Sequence, residues 1–472
     1  MRRYAWSALL LVAALPGLLG AQGFGIYEHG TCAMGRAGTG VAAPCADGSA
    51  IFFNPAGLAG LAGSHATVGV TLIDVHGGFT GDVLRQQTDI DNPLIPVPQV
   101  YITHSPTPKL GVGVGVFAPY GLQTRWPLSF DGRFAGYDNI LRSIYIQPTV
   151  AYQVTPWLAL GGGLDIAFGK VELNQRLDLA EAPVPTSLGV PAGTVFGQFG
   201  IAPGTDFANA RLEATKTTVT AHWGGIIKLN DRLSIGGRYL MHATFDYEGT
   251  AEFTQVLTNL IVPADLPVGS FTIPAGTSVD ALLAAPPSLG GLDLFNTVLA
   301  DQAVSTTLRN PEQVVFGLAY KLRPDWTVFG DYQFTRWGKR FSQISLNFQN
   351  PLLNDVLYQN YKNTNGFRLG AEWVKDAKWT FRGGYLYHQG AAPPETVTPL
   401  LPEGNRNEFT GGVTVKLGKG LTGDVAYQFI KQNDRRGRTR QPAGTAVPTT
   451  ALNNGVYTFF AHLFGMSLSY TF

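Results

Sequence analysis

Five cationic side chains occupy positions suited to binding a carboxylate. Arg238, Arg368 and Arg382 lie on the polar face of segments in which polar and apolar residues alternate. Arg176 and Lys362 lie near the ends of such segments. A cation in a partly dry cavity binds a carboxylate through charge-assisted hydrogen bonds. The alternative is a structural ion pair, for which the acids are Asp165, Asp331, Glu372 and Asp424.

Cys32 and Cys45 are the only cysteines and lie close together in the sequence. In an oxidising compartment this pair predicts a disulfide, with two free thiols as the alternative. A metal site has little support, because His29 is the only histidine nearby. The other histidines follow no motif that includes a nucleophile. We therefore predict no catalytic residue, no cofactor and no bound metal.

The N-terminus has the pattern of an export signal. Arg2 and Arg3 precede an apolar stretch at residues 8–14, and residues 19–21 form a small-residue cleavage site. The apolar stretch is shorter than the roughly 20 residues that a spanning helix needs. Residues 1–21 are therefore predicted to be a signal peptide.

Composition narrows the class of protein. Charged residues make up 14% of the chain, against about 25% in soluble domains, and 58 residues are glycine. The formal net charge of +1 gives no reason to expect a nucleic-acid partner. No later apolar run is long enough to span a membrane as a helix. Two classes remain: a secreted or periplasmic globular protein, and an outer-membrane β-barrel.

Alternation with a period of two recurs along the chain and predicts β-strands. Near the C-terminal end, Phe464, Met466 and Leu468 share one face, whereas Gly465 and Ser467 share the other. Other segments carry charges on the polar face and aromatic residues near the ends of the apolar face. These features are typical of a membrane barrel and not of a soluble sandwich.

The connections alternate between short turns and long loops. Short turns fall at residues 107–109 and 155–156, and long loops fall near residues 175–211 and 250–310. Outer-membrane barrels have this arrangement, with the long loops outside the cell. We count about 14 candidate strands and predict an all-β fold, a 14-stranded antiparallel transmembrane β-barrel over residues 65–472, in the bacterial outer membrane.

Residues 22–64 precede the first predicted strand and are rich in glycine and alanine. Small residues permit close packing against a barrel wall. A disordered tail is the alternative, but the segment has few charges and many apolar groups. We predict that residues 22–64 form an N-terminal hatch domain that plugs the barrel, with Asn54, Pro55 and Ala56 as its turn.

Several short motifs accompany this organisation. They are Gly23-Phe24, Glu28, Gly35-Arg36-Ala37, Asp47-Gly48, Asn54-Pro55-Ala56, Tyr120-Gly121-Leu122, Asn310-Pro311-Glu312, Asp325-Trp326, Trp337 and Lys378-Trp379-Thr380-Phe381-Arg382. With them, the chain resembles the FadL family of outer-membrane transporters for long-chain fatty acids and related hydrophobic compounds. The resemblance runs from about residue 22 to residue 472 and is weakest in the long loops.

The resemblance implies passive transport through a plugged 14-stranded barrel. Ligand would be captured in an extracellular apolar groove and would leave sideways into the membrane after the hatch rearranges. The exit would be an inward kink of the third strand, at Phe117, Pro119, Tyr120 and Gly121. Pro119 cannot donate a ladder hydrogen bond and Gly121 tolerates unusual dihedrals, so pairing should break there. The alternative is that the strand ends at Pro119.

Two predicted loops are unusually rich in apolar residues and supply candidates for the capture groove. The candidates are Leu188, Phe196, Phe199, Phe207, Leu260, Phe271, Leu283 and Phe295. The alternative is that the two loops pack against each other.

Long-chain fatty acids are the first ligand that the resemblance implies. In the best-known members of the family, cations bind the carboxylate. Asn174 and residues 358–360 stand roughly where those cations would fall in this chain. Neutral aromatic hydrocarbons are therefore an alternative ligand. A surface receptor or adhesin without flux is a second alternative, and a general porin is a third. The expected partners are the hydrophobic ligand and outer-membrane lipid, and the protein is expected to be a monomer.

Overall fold

The structure, a computed structural model, describes residues 23–82, 85–186, 190–268, 271–437 and 454–472. Three sequence predictions lie outside the described residues. They are the signal peptide at residues 1–21, Leu188 and the side chain of Phe271.

Fourteen antiparallel strands form the wall of the described chain. They are β1 (Ser64–Gly81), β2 (Ile95–Thr107), β3 (Leu110–Arg125), β4 (Asp138–Thr155), β5 (Leu158–Asp178), β6 (Asp206–Lys228), β7 (Leu233–Leu240 and Ala243–Gln255), β8 (Gln302–Asn310 and Gln313–Arg323), β9 (Trp326–Thr335), β10 (Thr364–Val374), β11 (Trp379–His388), β12 (Arg406–Gly418), β13 (Leu421–Gln432) and β14 (Gly455–Thr471).

Shorter elements lie in the N-terminal segment and the loops. The helices are α1 (Thr31–Met34), α2 (Ala50–Phe53) and α3 (Val279–Ala284), and the 3-10 turns are Pro55–Gly60, Asp131–Phe134, Leu179–Glu181, Phe196–Phe199, Pro287–Leu289, Leu294–Asn296, Pro351–Leu353 and Pro394–Thr396. Short strands outside the wall are Gln87–Asp89, Leu266–Val268, Phe271–Ile273, Gln343–Phe348, Asp355–Tyr358 and Arg435–Gly437. No helix in the described ranges is long and apolar enough to cross a membrane.

Each strand pairs with its sequence neighbour, and β1 pairs with β14 from His65–Thr471 to Gly81–Gly455. This seam closes the sheet. Closure is required in a bilayer, because an open edge would leave backbone N–H and C=O groups in hydrocarbon without partners. The predicted 14-stranded antiparallel barrel is therefore confirmed.

Some strands are longer than the sequence predicts. β6 begins at Asp206 and not near Leu212, and β8 begins at Gln302, inside the predicted loop 250–310. The extensions carry charged outward residues such as Arg211 and Arg309, so they lack the apolar alternation that marks a lipid-facing strand. β7 and β8 are also interrupted at adjacent places in the sheet.

Residues 23–63 lie against the inner face of the wall, and nearly all of them are buried. The close contact depends on inward-facing glycines, where a Cβ would overlap the N-terminal segment: Gly111, Gly161, Gly224, Gly236, Gly370 and Gly412. The backbone of the segment thus rests directly on the backbone of the wall. The hatch prediction is consistent with this arrangement.

Replacing Gly224 with valine should loosen the N-terminal segment, because the new Cβ would overlap the side-chain oxygen of Asn54. An overpacked contact of this kind costs about 1–3 kcal/mol. Arg36 is buried within the segment, so trypsin cleavage after Arg36 in the folded protein should accelerate by about fivefold or more.

Gly383→Val is the matched control, because a Cβ there would meet only the carbonyl oxygen of Thr410, at 3.8 Å. Equal protection of Arg36 in both variants would contradict the direct packing of segment on wall.

Candidate functional site

A window interrupts the wall between β2 and β3. The two strands pair from Thr107–Leu110 to Val100–Val116, and the ladder stops there. Beyond that point β2 pairs only with β1, and β3 continues to Arg125 beside β4. On the far side, a hydrogen bond of 2.8 Å from Asn92 Nδ2 to the Gln123 carbonyl closes the window.

The window coincides with the irregularity expected in β3. The register of β3 against β4 shifts between Phe117 and Tyr120, and the strand then continues. The alternative that the strand ends at Pro119 is therefore wrong. Pro96 and Pro98 on β2 face the same gap. Proline cannot donate a ladder hydrogen bond, so this I-P-V-P stretch is suited to an unpaired edge and is a signal that the sequence analysis missed.

The N-terminal arm, defined here as residues 23–28, pairs with β3 at the window. Gly25 forms a β-bridge with Tyr120. Ile26 N–H donates to the Pro119 carbonyl at 2.9 Å, and Gly121 N–H donates to the Phe24 carbonyl at 3.0 Å. The arm thus satisfies backbone groups of β3 that β2 leaves unpaired.

A cavity of about 580 Å³ leads from the lumen to this window. Its lipid-facing end is lined by Pro96, Pro98, Ile140 and Ile144, among others, and its inner end by the arm and by His388, Glu403, Arg406, Glu408 and Gln432. The cavity therefore joins a polar interior to the apolar outer surface through the wall.

Aromatic rings hold the start of the arm. The Phe24 ring lies 4.8 Å from Trp337 and 5.4 Å from Phe341, centre to centre. Gly23 has a φ of +60°, and a Cβ at this position would overlap the Trp337 ring. Edge-to-face aromatic pairs are worth about 0.5–1.5 kcal/mol beyond their buried area. This cage explains why glycine and phenylalanine begin the arm.

Glu403 binds the arm from the loop between β11 and β12. Its Oε2 accepts a hydrogen bond of 2.9 Å from Gly23 N–H, and its Oε1 accepts from Ala391 and Ala392. Burial raises the pKa of Glu403, and the positive charge of Arg406 opposes that shift. Arg406 also donates to the Gly23 carbonyl at 3.1 Å.

A second set of polar contacts holds the end of the arm. Glu28 Oε1 accepts from Gln428 Nε2 at 2.9 Å, and the same amide donates to Glu408 at 2.6 Å. Burial raises the pKa of Glu28, and the negative charge of Glu408 raises it further. His388 Nδ1 lies 2.8 Å from Glu408 Oε1. Side chains on three strands thus position the arm beside the cavity.

Asn54 fixes the following part of the segment to the wall. Its Nδ2 donates to the carbonyls of Val41 at 2.6 Å, Gly225 at 3.0 Å and Gly237 at 3.3 Å. Its Oδ1 accepts from Ala56 N–H at 3.1 Å, which caps the 3-10 turn that Pro55 begins. The Asn-Pro-Ala turn is therefore a buried junction between the segment, β6 and β7.

Cys32 and Cys45 form a disulfide that closes a loop within the segment. The loop packs on several strands. Gly40 N–H donates to Asp331 Oδ2 at 3.0 Å, and Arg36 lies 3.7 Å from Glu372.

The predicted carboxylate-binding cations lie elsewhere than the cavity. Arg238 donates to the Phe52 carbonyl at 2.8 Å and to Gln313 at 3.0 Å. Arg368 donates to Gln333 at 2.6 Å. Both guanidinium groups therefore lie beneath the N-terminal segment and contact it or its polar neighbours.

The other three predicted cations are also away from the cavity. Arg382 forms ion pairs with Glu372 at 2.7 Å and Asp424 at 3.7 Å, which is the structural alternative. Lys362 is exposed. Arg176 lies with its guanidinium 5.8 Å from the Tyr137 ring centre.

Two arginines that the sequence analysis missed do line the cavity. Arg406 lies at its inner end, and Arg142 is exposed at the lipid-facing end beside Ile140 and Ile144. Arg142 shares the outward face of β4 with apolar residues, so a search restricted to the inward face excluded it. Its position opposite Gly121 in the ladder was the signal that could have found it.

The apolar loop residues pack against each other. Phe196, Phe207 and Leu283 are buried in one cluster, and Phe199, Leu260 and Phe295 are partly buried around it. These described candidates therefore form a joint core of the two loops, which is the alternative of mutual packing. An open groove at this place remains a prediction.

A closed barrel with its own N-terminal segment inside and a cavity that opens through the wall defines an outer-membrane protein of the transport class. The model of one family, described as "Outer membrane protein transport protein (OMPP1/FadL/TodX)", matches residues 12–472. The chain belongs to this family, and its location is the bacterial outer membrane.

Individual relatives are distant but match over nearly their full length. Outer membrane protein P1 of Haemophilus influenzae is 24% identical, covering 99% of this chain and 98% of the relative. The long-chain fatty acid transport protein of Salmonella typhi is 22% identical, covering 96% and 94%.

Solved structures share the fold. A Pseudomonas aeruginosa FadL homologue superimposes with a TM-score of 0.74 at 19% identity, covering 96% of this chain and 100% of that one. The Ralstonia pickettii toluene transporter TbuX has a TM-score of 0.62 at 20% identity, with 95% and 100% covered.

Asn54→Asp should release the N-terminal segment from the wall, because a carboxylate would face three carbonyl oxygens where an amide N–H₂ group now donates. Losing a buried donor costs about 1–3 kcal/mol. We expect more frequent open events in single-channel recordings in planar bilayers, by roughly fivefold or more.

Asn350→Asp is the control, because the Asn350 side chain acts there as an acceptor, from Leu352 N–H at 3.1 Å, which aspartate preserves. Unchanged recordings for Asn54→Asp would contradict its role as an anchor.

Proposed function

We propose that the protein transports hydrophobic small molecules passively across the outer membrane and releases them sideways through the window between β2 and β3. One observation carries this proposal: a largely apolar cavity runs from the lumen to lipid-facing residues through a break in the sheet. Family membership supports transport as the general activity.

In this proposal residues 22–64 act as a hatch, and the arm is its mobile part. The arm lines the cavity and pairs with β3, so ligand cannot fill the window fully without displacing it. Glu403 and the Glu28 contacts hold the arm through side chains, which can exchange partners more readily than a backbone ladder. The disulfide loop and Asn54 keep the remainder of the segment in place.

Long-chain fatty acids are the first candidate ligand. Arg406 at the inner end and Arg142 at the outer end give the cavity a cation at each limit, and a carboxylate can bind either. The lining between them is mainly apolar, as an acyl chain requires. The similarity to a long-chain fatty acid transport protein is in keeping with this choice.

Neutral aromatic hydrocarbons are the second candidate. Glu28, Glu403 and Glu408 also line the inner end, and these acids would oppose an anionic ligand there. A solved relative is described as a toluene transporter. A receptor or adhesin without flux is the third possibility, and a measurement of uptake separates it from the other two.

Ala118→Trp should block the window, because Ala118 lines the cavity at the kink and tryptophan would occupy that space. Uptake of labelled oleate and toluene by cells that depend on this protein should fall to the level of cells without it. Ala371→Trp places the same ring on the wall at β10, away from the window, and should leave uptake unchanged. Full uptake by the Ala118 variant would rule out sideways release at this place.

Arg142→Gln distinguishes the two ligands. Loss of a charge-assisted contact should lower oleate uptake about tenfold, which is ~1.4 kcal/mol, and should leave toluene uptake unchanged. Arg232→Gln, at an exposed periplasmic turn, is the control. An equal fall for both compounds would show that Arg142 serves the structure of the window and not the carboxylate.

A further inference from the structure

A shallow apolar groove of about 870 Å³ crosses the outer surface of β5–β10, away from the window. Two cross-strand rows of outward residues define it. The first row is Leu160, Gly225, Gly237, Phe316, Tyr332 and Phe367, and the second is Leu158, Ile227, Ile235, Leu318, Gly330 and Leu369.

Three glycines form the floor of the groove: Gly225, Gly237 and Gly330. A Cβ at Gly330 would meet two leucine side chains, at 3.7 and 3.9 Å, and the Arg368 carbonyl oxygen at 4.0 Å, and a Cβ at Gly237 would meet the Phe316 ring at 3.4 Å. Nothing in the packing of the wall therefore requires glycine at either position. The missing side chains leave space on the lipid-facing surface.

The next row towards the long loops carries aromatic residues. It contains Trp223, Tyr239 and Phe334 on adjoining parts of β6, β7 and β9. Tryptophan and tyrosine favour the boundary between hydrocarbon and head groups. The groove thus lies in the hydrocarbon layer directly below the outer boundary.

Five cations surround the outer ends of β8–β10, immediately above that aromatic row: Arg309, Arg336, Lys339, Arg340 and Lys362. Glu312, in the interruption of β8, contacts Arg336 at 3.0 Å and Arg340 at 2.8 Å. Gly338 N–H donates to Asn363 at 2.9 Å, which joins the β9 side of the group to the β10 side.

Three of these cations have no side-chain partner in the described part of the chain: Arg309, Lys339 and Lys362. All three are exposed. The rim of β5–β7 differs, because Lys170 and Arg211 there contact Glu172 and Glu213. On β7, Glu248 lies 3.9 Å from Lys216. Along the described rim of β5–β10, the exposed cations without an acidic partner therefore lie at β8–β10.

We propose that this surface binds a phosphorylated glycolipid of the outer leaflet, of the lipid A class. The unpaired cations would contact its phosphates, and its acyl chains would lie in the glycine-floored groove. Phosphates and several acyl chains on one molecule match a cluster of cations above a groove that spans six strands. The inference does not depend on which compound the cavity transports.

The charge contribution can be tested with intact protein in detergent by native mass spectrometry. Bisphosphorylated hexa-acyl lipid A is titrated into the wild type and into Arg309→Gln/Lys339→Gln/Lys362→Gln. Each surface cation contributes about 1 kcal/mol to binding an anionic lipid, so affinity should fall on the order of 100-fold. The control, Lys321→Gln/Lys375→Gln/Lys378→Gln, removes as many exposed cations at the opposite rim.

The groove is tested by Gly330→Leu, which fills it without touching the rim. Affinity for lipid A should fall at least about fivefold, the effect of ~1 kcal/mol. Gly423→Leu is the matched control on the outward face of β13, where the nearest side chain would lie 3.6 Å from the new Cβ. Heat-dependent gel mobility shows that each variant retains its folded barrel.

Selective loss in the β8–β10 variants supports the proposal. Equal affinities for the two charge variants would overturn it, as would unchanged binding in Gly330→Leu. Dioleoyl phosphatidylglycerol that bound as tightly as lipid A, with the same losses, would overturn the lipid A assignment in favour of an ordinary anionic phospholipid.

Discussion

A backbone N–H group in hydrocarbon must find its partner within the protein, and the window in the wall exists under that constraint. β3 leaves β2 after Val116, yet the arm supplies partners at Pro119, Tyr120 and Gly121. The break in the sheet and the arm are therefore one unit. Displacing the arm exchanges hydrogen bonds at the window and does not simply uncover a hole.

The N-terminal segment is attached in two physically different ways. Its central part lies on glycines, so that Asn54 can reach backbone carbonyls of two strands, and the disulfide restricts the adjoining loop. Its arm depends on Glu403, Glu28, an aromatic cage and two backbone hydrogen bonds to β3. The first kind of contact tolerates little change in position. The second consists mainly of side-chain contacts, at the part of the segment beside the cavity.

The sequence predicts the wall well, because period-two alternation is a direct consequence of one face in lipid. It also predicts the location of the kink, since Pro119 has no N–H to donate to a ladder and Gly121 tolerates unusual dihedrals. It does not give the depth of a side chain in the lumen. Arg238 and Arg368 face inward as expected but lie under the segment, whereas Arg142 faces outward and still reaches the cavity. The apolar loops are equally compatible with a groove and a core until their contacts are known.

The seam between β1 and β14 has a consequence for assembly. It joins Gly81 to Gly455 and His65 to Thr471, so the strand that follows the N-terminal segment pairs with the last described strand. Ribosomal synthesis makes the segment long before β14 is available. The barrel can therefore close only late. It closes either around a segment that is already in the lumen, or before that segment enters from the periplasmic end. The last strand pairing to form thus encloses a segment that is made early.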